Sequence, residues 1–332
     1  MTRTTKNHPE KKDFRRDFHT LSHILRESKS FLLAAHTRPD PDTIGAVAAL
    51  FYHLREAGKD ATIVCANPFD EAFSAILPDI TFSHPDQINI PSFDVVIAAD
   101  SVERGFSSLI LPKTDKDKQI TIVIDHHPDI DVPADVTIID SKRSSTCEIL
   151  SEFFFSQNIP VSKCMATALL LGILGDTGNF QHANTSARVL EITSKLLARG
   201  ASIGKISSRI FANKKLSTLR LWGRAFEKAR MDERSGMMVT ALTKEDLLEC
   251  EARAEDVSQV ANMLATVPGA KYALILAQHD DATVKGSFRA ESSQNVDVSE
   301  IARRFGGGGH PLASGFEIRG KLVDTSNGWS VM

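Results

Sequence analysis

The chain has few cysteines and no long apolar run. Its 332 residues include four cysteines, at positions 65, 147, 164 and 250, and no two of them form a Cys-x-x-Cys pair. This spacing argues against a structural zinc site built from thiolates and against a disulfide-stapled fold. The first residues are polar and charged, and the longest apolar candidate, 166–174, soon meets Asp176. We therefore expect a cytoplasmic protein with reduced thiols and no membrane partner.

An excess of positive charge is also lacking. Lys and Arg number 39 against 42 Asp and Glu, which gives a formal net charge of -3. Proteins that grip long duplex nucleic acid are usually basic overall, so we expect no such partner. Hydrophobic residues make up 42% of the chain and charged residues 24%, the balance of a globular protein. The length predicts about two domains.

Short apolar runs alternate with helical stretches from residue 17 to about 185. The runs lie at 31–35, 62–66, 95–98, 120–124 and 136–139. They are continuous rather than alternating in polarity, which is typical of strands buried on both faces. Helices are predicted from Thr43 to about Gly58, from a capping box at Ser145 to Phe155, and over 162–174, with Asn184 or Thr185 capping the next one.

The predicted fold is therefore α/β with two domains. A mainly parallel N-terminal sheet flanked by helices is followed by a smaller C-terminal α/β domain. The predicted ranges are a flexible tail at 1–16, a catalytic domain at 17–190, a helical connector at 191–225 and a substrate-binding domain at 226–332.

Asp and His residues stand where the apolar runs end. They come from four separate segments of the chain: His36, Asp40 and Asp42; Asp100; Asp125, His126 and His127; and Asp176. Ligands of open α/β sheets gather outside the carboxyl ends of strands. Any one Asp there could be a helix N-cap or a turn former, and the two histidines could be surface residues. Their occurrence in all four segments favours a metal site.

The donor types indicate which chemistry such a site supports. Several Asp and His ligands without a thiolate suit ions of the Mn²⁺ type better than structural zinc. A carboxylate shared between two ions about 3.5–4 Å apart makes a two-metal hydrolytic site. Such a site lowers the pKa of a bridging water and stabilises charge on a phosphoryl group under attack.

These segments resemble the four motifs of the DHH phosphoesterase superfamily. The motifs are His36-x-x-x-Asp40-x-Asp42, Asp100, Asp125-His126-His127 and Gly175-Asp176-Thr177-Gly178, and the resemblance covers residues 30–185. It implies two Mn²⁺ ions per site, with Mg²⁺ or Co²⁺ as substitutes. One ion would be held by His36, Asp40 and Asp100, and the other by Asp42, Asp100, His126 and Asp176. It also implies catalytic roles for Asp100, which would bridge the two ions, for His127, which would face the phosphate, and for Asp125, which would orient a histidine.

A glycine-rich segment stands apart in the C-terminal half. Gly306 to Gly309 are four successive glycines followed by His310. Such a loop lets the backbone approach a ligand and turn its N–H groups toward an anion. A flexible linker is disfavoured because an apolar strand resumes at once. The segment resembles the signature of the DHH-associated domain, which implies substrate binding by these residues: Arg289, Gly307, Gly308, Gly309, His310 and Ser314.

Over residues 20–320 the chain resembles the group of bifunctional oligoribonucleases and 3′-phosphoadenosine-5′-phosphate (pAp) phosphatases. The resemblance implies Mn²⁺-dependent hydrolysis of short oligoribonucleotides (nanoRNA, and linear dinucleotides such as pApA) to mononucleotides. It also implies hydrolysis of pAp to AMP, in both cases by a metal-bridged hydroxide. Two alternatives stay open, a cyclic di-AMP phosphodiesterase and a non-catalytic nucleotide-binding module. The family resemblance also suggests a homodimer.

Overall fold

The computed structural model describes residues 14–67, 71–128, 130–210, 215–291, 294–325 and 328–332. The chain divides into two compact units, Met1–Asn213 and Lys214–Met332. This division falls inside the predicted connector, 191–225. The predicted tail lies outside the described residues as far as position 13, and Arg15 already begins the first helix. The four predicted domain ranges stay predictions.

The first unit is built on a six-stranded parallel sheet. Its strands are β1 (Ser30–Ala34), β2 (Asp60–Val64), β3 (Phe82–Ser83), β4 (Val95–Ala99), β5 (Ile120–Asp125) and β6 (Val136–Ile139). They lie in the order β3-β2-β1-β4-β5-β6. The helices are α1 (Arg15–Glu27), α2 (Pro41–Glu56), α3 (Glu71–Ser74), α4 (Thr146–Ser156), α5 (Lys163–Asp176), α6 (Ala187–Leu197) and α7 (Ile203–Ile210). A π-helical segment, Val102–Ile110, follows β4.

Both faces of this sheet are covered, as the continuous apolar runs predicted. Leu33 and Ile97 belong to the core that includes Leu50 of α2. Their neighbours Leu32 and Val96 point the other way and belong to a second core. Alternate residues of one strand thus enter two different cores, which explains why the strands carry no polar face.

Two helix starts differ in detail from the prediction. The Ser145 hydroxyl caps α4 by accepting the Glu148 N–H, as expected. The Glu148 carboxylate accepts the N–H of Ser144 at 2.6 Å and not that of Ser145, so the predicted reciprocal box does not form. The prediction that Asn184 or Thr185 caps α6 is wrong, because the hydroxyl of Ser186 accepts the Val189 N–H. The side-chain amide of Asn184 is engaged elsewhere.

Helices α2 and α5 pack closely because each contributes a glycine to the contact. A Cβ on Gly45 would overlap the Ala168 carbonyl oxygen. A Cβ on Gly172 would overlap the Cys147 sulfur and lie 2.6 Å from Asp42 Oδ1. The close approach brings the N-terminal end of α2, which carries Asp42, near the C-terminal half of α5.

The second unit has a mixed six-stranded sheet and a separate hairpin. Its strands are β7 (Arg230–Asp232), β8 (Met237–Leu242), β9 (Tyr272–Gln278), β10 (Thr283–Ala290), β11 (Gly308–His310) and β12 (Ala313–Arg319), with β13 (Leu322–Thr325) and β14 (Gly328–Val331) as the hairpin. The sheet order is β11-β12-β10-β9-β8-β7, and only the β8–β9 pair is parallel. The helices are α8 (Leu216–Glu227), α9 (Lys244–Glu249), α10 (Ser258–Ala265) and α11 (Val298–Arg303).

The predicted α/β class is confirmed. Within the described part of the chain, every helix is too short or too polar to cross a bilayer.

Candidate metal centre

The Asp and His residues of the first unit meet at the carboxyl edge of its parallel sheet. The strand order reverses between β1 and β4, and such a switch point is where open α/β sheets bind ligands. His36 follows β1, Asp100 follows β4, and Asp125 ends β5. Helices α2 and α5 bring in Asp40, Asp42 and Asp176. The four segments that carry these residues therefore meet at one edge of the sheet.

A first group of possible ligands consists of His36, Asp40 and Asp100. The Nε2 atom of His36 lies 3.3 Å from Asp40 Oδ2 and 4.0 Å from Asp100 Oδ2. On the other side of the ring, Nδ1 lies 2.7 Å from the Thr37 carbonyl. A carbonyl only accepts, so Nδ1 carries a proton, and Nε2 is the ring atom that faces the carboxylates.

Asp40 has two tasks, one for each carboxylate oxygen. Oδ1 caps α2 by accepting the N–H groups of Asp42 and Thr43 at 3.1 Å each. Oδ2 is the atom that faces His36. The N-cap role of this aspartate is confirmed, and it is compatible with a ligand role because the two would use different oxygens.

A second group consists of Asp42, His126 and Asp176. His126 Nε2 lies 3.0 Å from Asp176 Oδ2 and 3.9 Å from Asp42 Oδ2. Asp42 is fully buried, and its two oxygens accept the N–H groups of Thr146 at 2.7 Å and Cys147 at 3.0 Å. The N-terminus of α4 thus holds this carboxylate in place.

Asp100 lies between the two groups. Its Oδ2 faces His36, and its Oδ1 lies 3.8 Å from His126 Nε2 and 3.4 Å from His127 Nδ1. The residue has a φ of 55°, a left-handed conformation that is uncommon for a residue with a side chain. The Thr43 hydroxyl donates to Asp100 Oδ2 at 2.6 Å. One carboxylate therefore faces both ligand groups, the arrangement that a bridging ligand requires.

Asp125 is paired with His127. Its Oδ1 lies 3.0 Å from the His127 N–H and 2.8 Å from His127 Nδ1. The two contacts orient the imidazole so that Nδ1 faces the carboxylate and Nε2 is the atom left for other partners. The structure thus places Asp125 against the histidine next to it, as the orienting role requires.

The clustered carboxylates of the site favour a bound cation. Burial raises the pKa of Asp42 and of Asp176 to about 7 and that of Asp100 to about 6, and the neighbouring carboxylates add to the rise at each position. Hydrogen bonds to Asp100 and Asp125 raise the pKa of His127 to about 11. Burial alone would lower the pKa of His126, but contact with Asp176 raises it to about 9. Without metal, protons must therefore balance the clustered negative charge.

The residues fit a metal pair. The donors are carboxylate oxygens and imidazole nitrogens, and each group brings its ligand atoms within 4.8 Å of one another. His36 Nε2 is buried and makes no hydrogen bond with the described residues, which is the state of a ligand atom turned toward a cation. Sequence reasoning missed Thr43 and the backbone of α4 as supports of this site. Their roles depend on contacts between segments far apart in the chain.

The predicted substrate-binding residues lie together in the second unit. Arg289 pairs with Ala313, which pairs with His310, so Arg289 and His310 share one face of the sheet across three strands. Burial lowers the pKa of the Arg289 guanidinium, which donates to the Phe288 carbonyl at 2.8 Å. On the same face, Gly308 pairs with Gly315, so the strip beside Arg289 and His310 has no bulky side chain.

Ser314 and two of the glycines have structural contacts. The Ser314 hydroxyl donates to the His310 carbonyl at 2.6 Å, and Ser314 pairs with Phe288 on the opposite face from Arg289. Gly309 has a φ of 136°, and a Cβ there would lie 2.7 Å from the Ala313 oxygen. A Cβ on Gly307 would overlap the Gly315 oxygen. These contacts explain the serine and the glycines as parts of the strand turn, and their role in binding stays a prediction.

Two family models match this chain in order. The model of the DHH family, N-terminal domain, matches residues 30–173, and that of the DHHA1 domain matches residues 237–326. Among curated relatives, the bifunctional oligoribonuclease and PAP phosphatase NrnA of Thermus thermophilus is 28% identical over 88% of this chain and 85% of its own length. The same-named protein of Bacillus subtilis is 26% identical over 87% of this chain and 89% of its own length. The cyclic-di-AMP phosphodiesterase GdpP of Geobacillus thermodenitrificans is 27% identical over 88% of this chain but only 45% of its own length.

Solved structures share the fold. An exopolyphosphatase-related protein from Bacteroides fragilis has a TM-score of 0.83 at 21% identity, covering 92% of this chain and 91% of its own. RecJ from Thermus thermophilus, in complex with Mn²⁺, has a TM-score of 0.53 at 14% identity, covering 91% of this chain and 51% of its own. With both domain models matched in order and the ligand residues gathered at the sheet edge, the chain belongs to the DHH superfamily and is a metal-dependent phosphoesterase.

Proposed function

We propose that this protein is a Mn²⁺-dependent phosphodiesterase and phosphatase of very short nucleotides. Its substrates would be nanoRNA and linear dinucleotides such as pApA, cut to mononucleotides, and pAp, converted to AMP. The observation that carries the proposal is the position of Asp100, which belongs to the first group of possible metal ligands and also faces His126 of the second. The substrate class is supported by the NrnA relatives, which cover most of the chain.

Two ions fit the residues described above. His36, Asp40 and Asp100 would hold one, and Asp42, Asp100, His126 and Asp176 the other. The mixed oxygen and nitrogen donors favour Mn²⁺, with Mg²⁺ or Co²⁺ as substitutes. When bound, the pair would activate water and neutralise charge on the phosphoryl oxygens.

His127 is the residue of this chain that would stabilise charge on the scissile phosphate. Asp125 holds the Nδ1 of His127, and the hydrogen bonds to Asp100 and Asp125 raise the pKa of the ring, which favours its protonated form. The imidazolium therefore presents a charged Nε2–H donor, which a phosphate oxygen accepts more strongly than it accepts a neutral donor. In this role His127 makes its contact with substrate and not with metal.

The net charge of the chain and the residues on one face of the sheet of the second unit both favour a short substrate. The net charge of -3 gives little attraction for a long phosphate backbone. Arg289 and His310 lie on one face beside the glycine strip, and a guanidinium is suited to bidentate contact with phosphate. We infer that these two residues bind a nucleotide end of the substrate. The homodimer suggested by the family resemblance stays a prediction.

The proposal is tested by measuring products. Metal-stripped protein is given Mn²⁺ and then pAp, pApA or a five-nucleotide RNA at equal concentration, and mononucleotides and phosphate are quantified. We expect turnover of all three substrates. The proposal would be contradicted if none of the three were turned over.

Asp100→Asn keeps a residue type that tolerates positive φ but removes the shared charge, so kcat should fall by about a thousandfold or more. Asp117→Asn, an exposed acid, is the matched control and should change nothing.

A second candidate function is hydrolysis of cyclic di-AMP. It is favoured by the GdpP relatives, which are as similar in identity to this chain as the NrnA relatives, although the chain spans less than half of their length. Turnover of cyclic di-AMP at a kcat/KM above that for pApA would select this function over the first. A non-catalytic nucleotide-binding module is disfavoured, because all the expected ligand residues are present and gathered at one site.

A further inference from the structure

The loop after α5 contacts the backbone on both sides of the second ligand group. The side-chain amide of Asn184 donates to the Ser144 carbonyl at 3.3 Å and to the Asp176 carbonyl at 3.2 Å. His182 Nδ1 also lies 3.0 Å from the Asp176 carbonyl, so this nitrogen carries the proton. Two side chains of one loop therefore converge on the residue that ends α5.

The Asp176 carbonyl needs such donors because of its place in the helix. The last carbonyls of an α-helix have no partner in the helix itself. Those of Ile173, Leu174 and Gly175 accept N–H groups from the turn that follows, whereas that of Asp176 accepts the two side chains. Asn184 and His182 thus fix the end of the helix from which the Asp176 carboxylate projects.

The Ser144 carbonyl belongs to the other side of the same ligand group. Ser144 lies two residues before Thr146, whose N–H holds Asp42 together with the N–H of Cys147. Asn184 therefore ties the backbone that holds Asp42 to the backbone that carries Asp176. Both of these carboxylates face His126 Nε2, at 3.9 and 3.0 Å.

The first ligand group is held by different contacts. His36 is fixed by the Thr37 carbonyl, and Asp40 by the N–H groups at the start of α2. Asn184 donates to neither segment. Loss of its two hydrogen bonds should therefore affect one ligand group and leave the other intact.

We propose that Asn184 is a positioning residue for the metal ion held by Asp42, His126 and Asp176, and that it acts by fixing the spacing of the two carboxylates. The inference rests on the two-metal site of the proposed function. Residues that hold a ligand without touching the metal typically change metal affinity about 10–100-fold when they are removed. Because the Asn184 side chain is exposed, we expect a change of about tenfold, at the lower end of that range.

Calorimetric titration of the metal-stripped chain with MnCl₂ tests this inference. The wild-type chain should bind two ions. In Asn184→Ala one of the two ions should bind about tenfold less tightly, with the affinity of the other unchanged. Asn184→Leu keeps the size of the side chain without its donors and should behave like the alanine variant. Gln181→Ala, an exposed residue of the same loop, is the matched control and should titrate like the wild type.

The outcomes separate positioning from a general structural role. Equal weakening of both ions, or no weakening of either, would overturn the inference, and so would a wild-type chain that binds a single ion. Activity of the Asn184→Ala protein should return when Mn²⁺ is raised about tenfold. If the wild type binds two ions but turns over none of the substrates, the proposed function fails while the titration still decides the role of Asn184.

Discussion

At the scale of single residues, the carboxylates proposed as metal ligands are also structural acceptors. Asp40 caps α2 with one oxygen, and both oxygens of Asp42 accept N–H groups from α4. These hydrogen bonds fix the direction of each carboxylate before metal arrives. A site held in this way loses little conformational entropy on binding, which favours tight association with a cation.

Thr43 offers a direct test of such support. Its buried hydroxyl donates to Asp100 Oδ2 at 2.6 Å and to the Asp100 carbonyl at 3.0 Å. In Thr43→Val the shape is kept and the donor is lost, so a buried carboxylate oxygen lacks its partner. We expect unfolding free energy to fall by about 1 kcal/mol and Mn²⁺ affinity to fall about 10–100-fold. Chemical denaturation and metal titration measure the two effects.

The matched control is Thr193→Val in α6. The Thr193 hydroxyl is buried but makes no hydrogen bond with the described residues. Replacing it should leave stability equal or slightly raised and metal affinity unchanged. If both valine variants lowered stability and metal affinity alike, the hydrogen bond to Asp100 would not be the cause.

At the scale of elements, the approach of α2 to α5 depends on Gly172. A Cβ there would meet the Cys147 sulfur and lie 2.6 Å from Asp42 Oδ1, and both atoms are buried with little room to move. Gly172→Ala should therefore push α5 away from α2. We expect a loss of about 1–3 kcal/mol in unfolding free energy, together with weaker Mn²⁺ binding, because Asp42 is displaced.

Gly204→Ala in α7 is the control for this substitution. A Cβ at Gly204 would meet nothing within 4 Å, and alanine favours a helix by up to about 1 kcal/mol over glycine. Thermal unfolding of the two variants should shift in opposite directions. A Gly172→Ala protein as stable as the wild type, with unchanged metal affinity, would show that the helices tolerate the wider spacing.

Elements differ in how well the sequence predicts them. The parallel strands and the candidate site residues at their ends are local signals, since the runs at 31–35 and 120–124 stop at His36 and Asp125, and Asp100 closely follows the run at 95–98. The start of α6 was misplaced because Asn184 is drawn to the Ser144 and Asp176 carbonyls, which only the folded chain brings near. The face of Ser314 is likewise set by strand pairing, and no local pattern records it. Features that depend on a distant partner therefore escape prediction, even when the residues themselves are conspicuous.

At the scale of the whole molecule, stability is linked to pH through the metal centre. The folded pKa values of Asp42 and Asp176, about 7, exceed the ordinary value of 3.8. The stabilising contribution of each group is fully present below about pH 3.8 and is lost as pH rises through about 7. His126 and His127, raised from 6.5 to about 9 and about 11, act in the same direction at higher pH. The metal-free fold should therefore weaken as pH rises from about 6 to about 8.5.

Bound metal should oppose this loss of stability at higher pH, because the cations replace the protons that the cluster otherwise holds. Ligands must be deprotonated to bind, so affinity rises with pH and the stabilisation by Mn²⁺ grows with it. Melting temperatures in EDTA and in excess Mn²⁺, each at about pH 6 and about pH 8.5, measure both trends. We expect the difference between the two curves to widen at the higher pH, and to widen less in Asp176→Asn, which lacks one of the titrating carboxylates. A metal-free melting temperature that stays level or rises over this interval would show that the buried acids do not control stability. The metal centre would then add to a fold that is already stable without it.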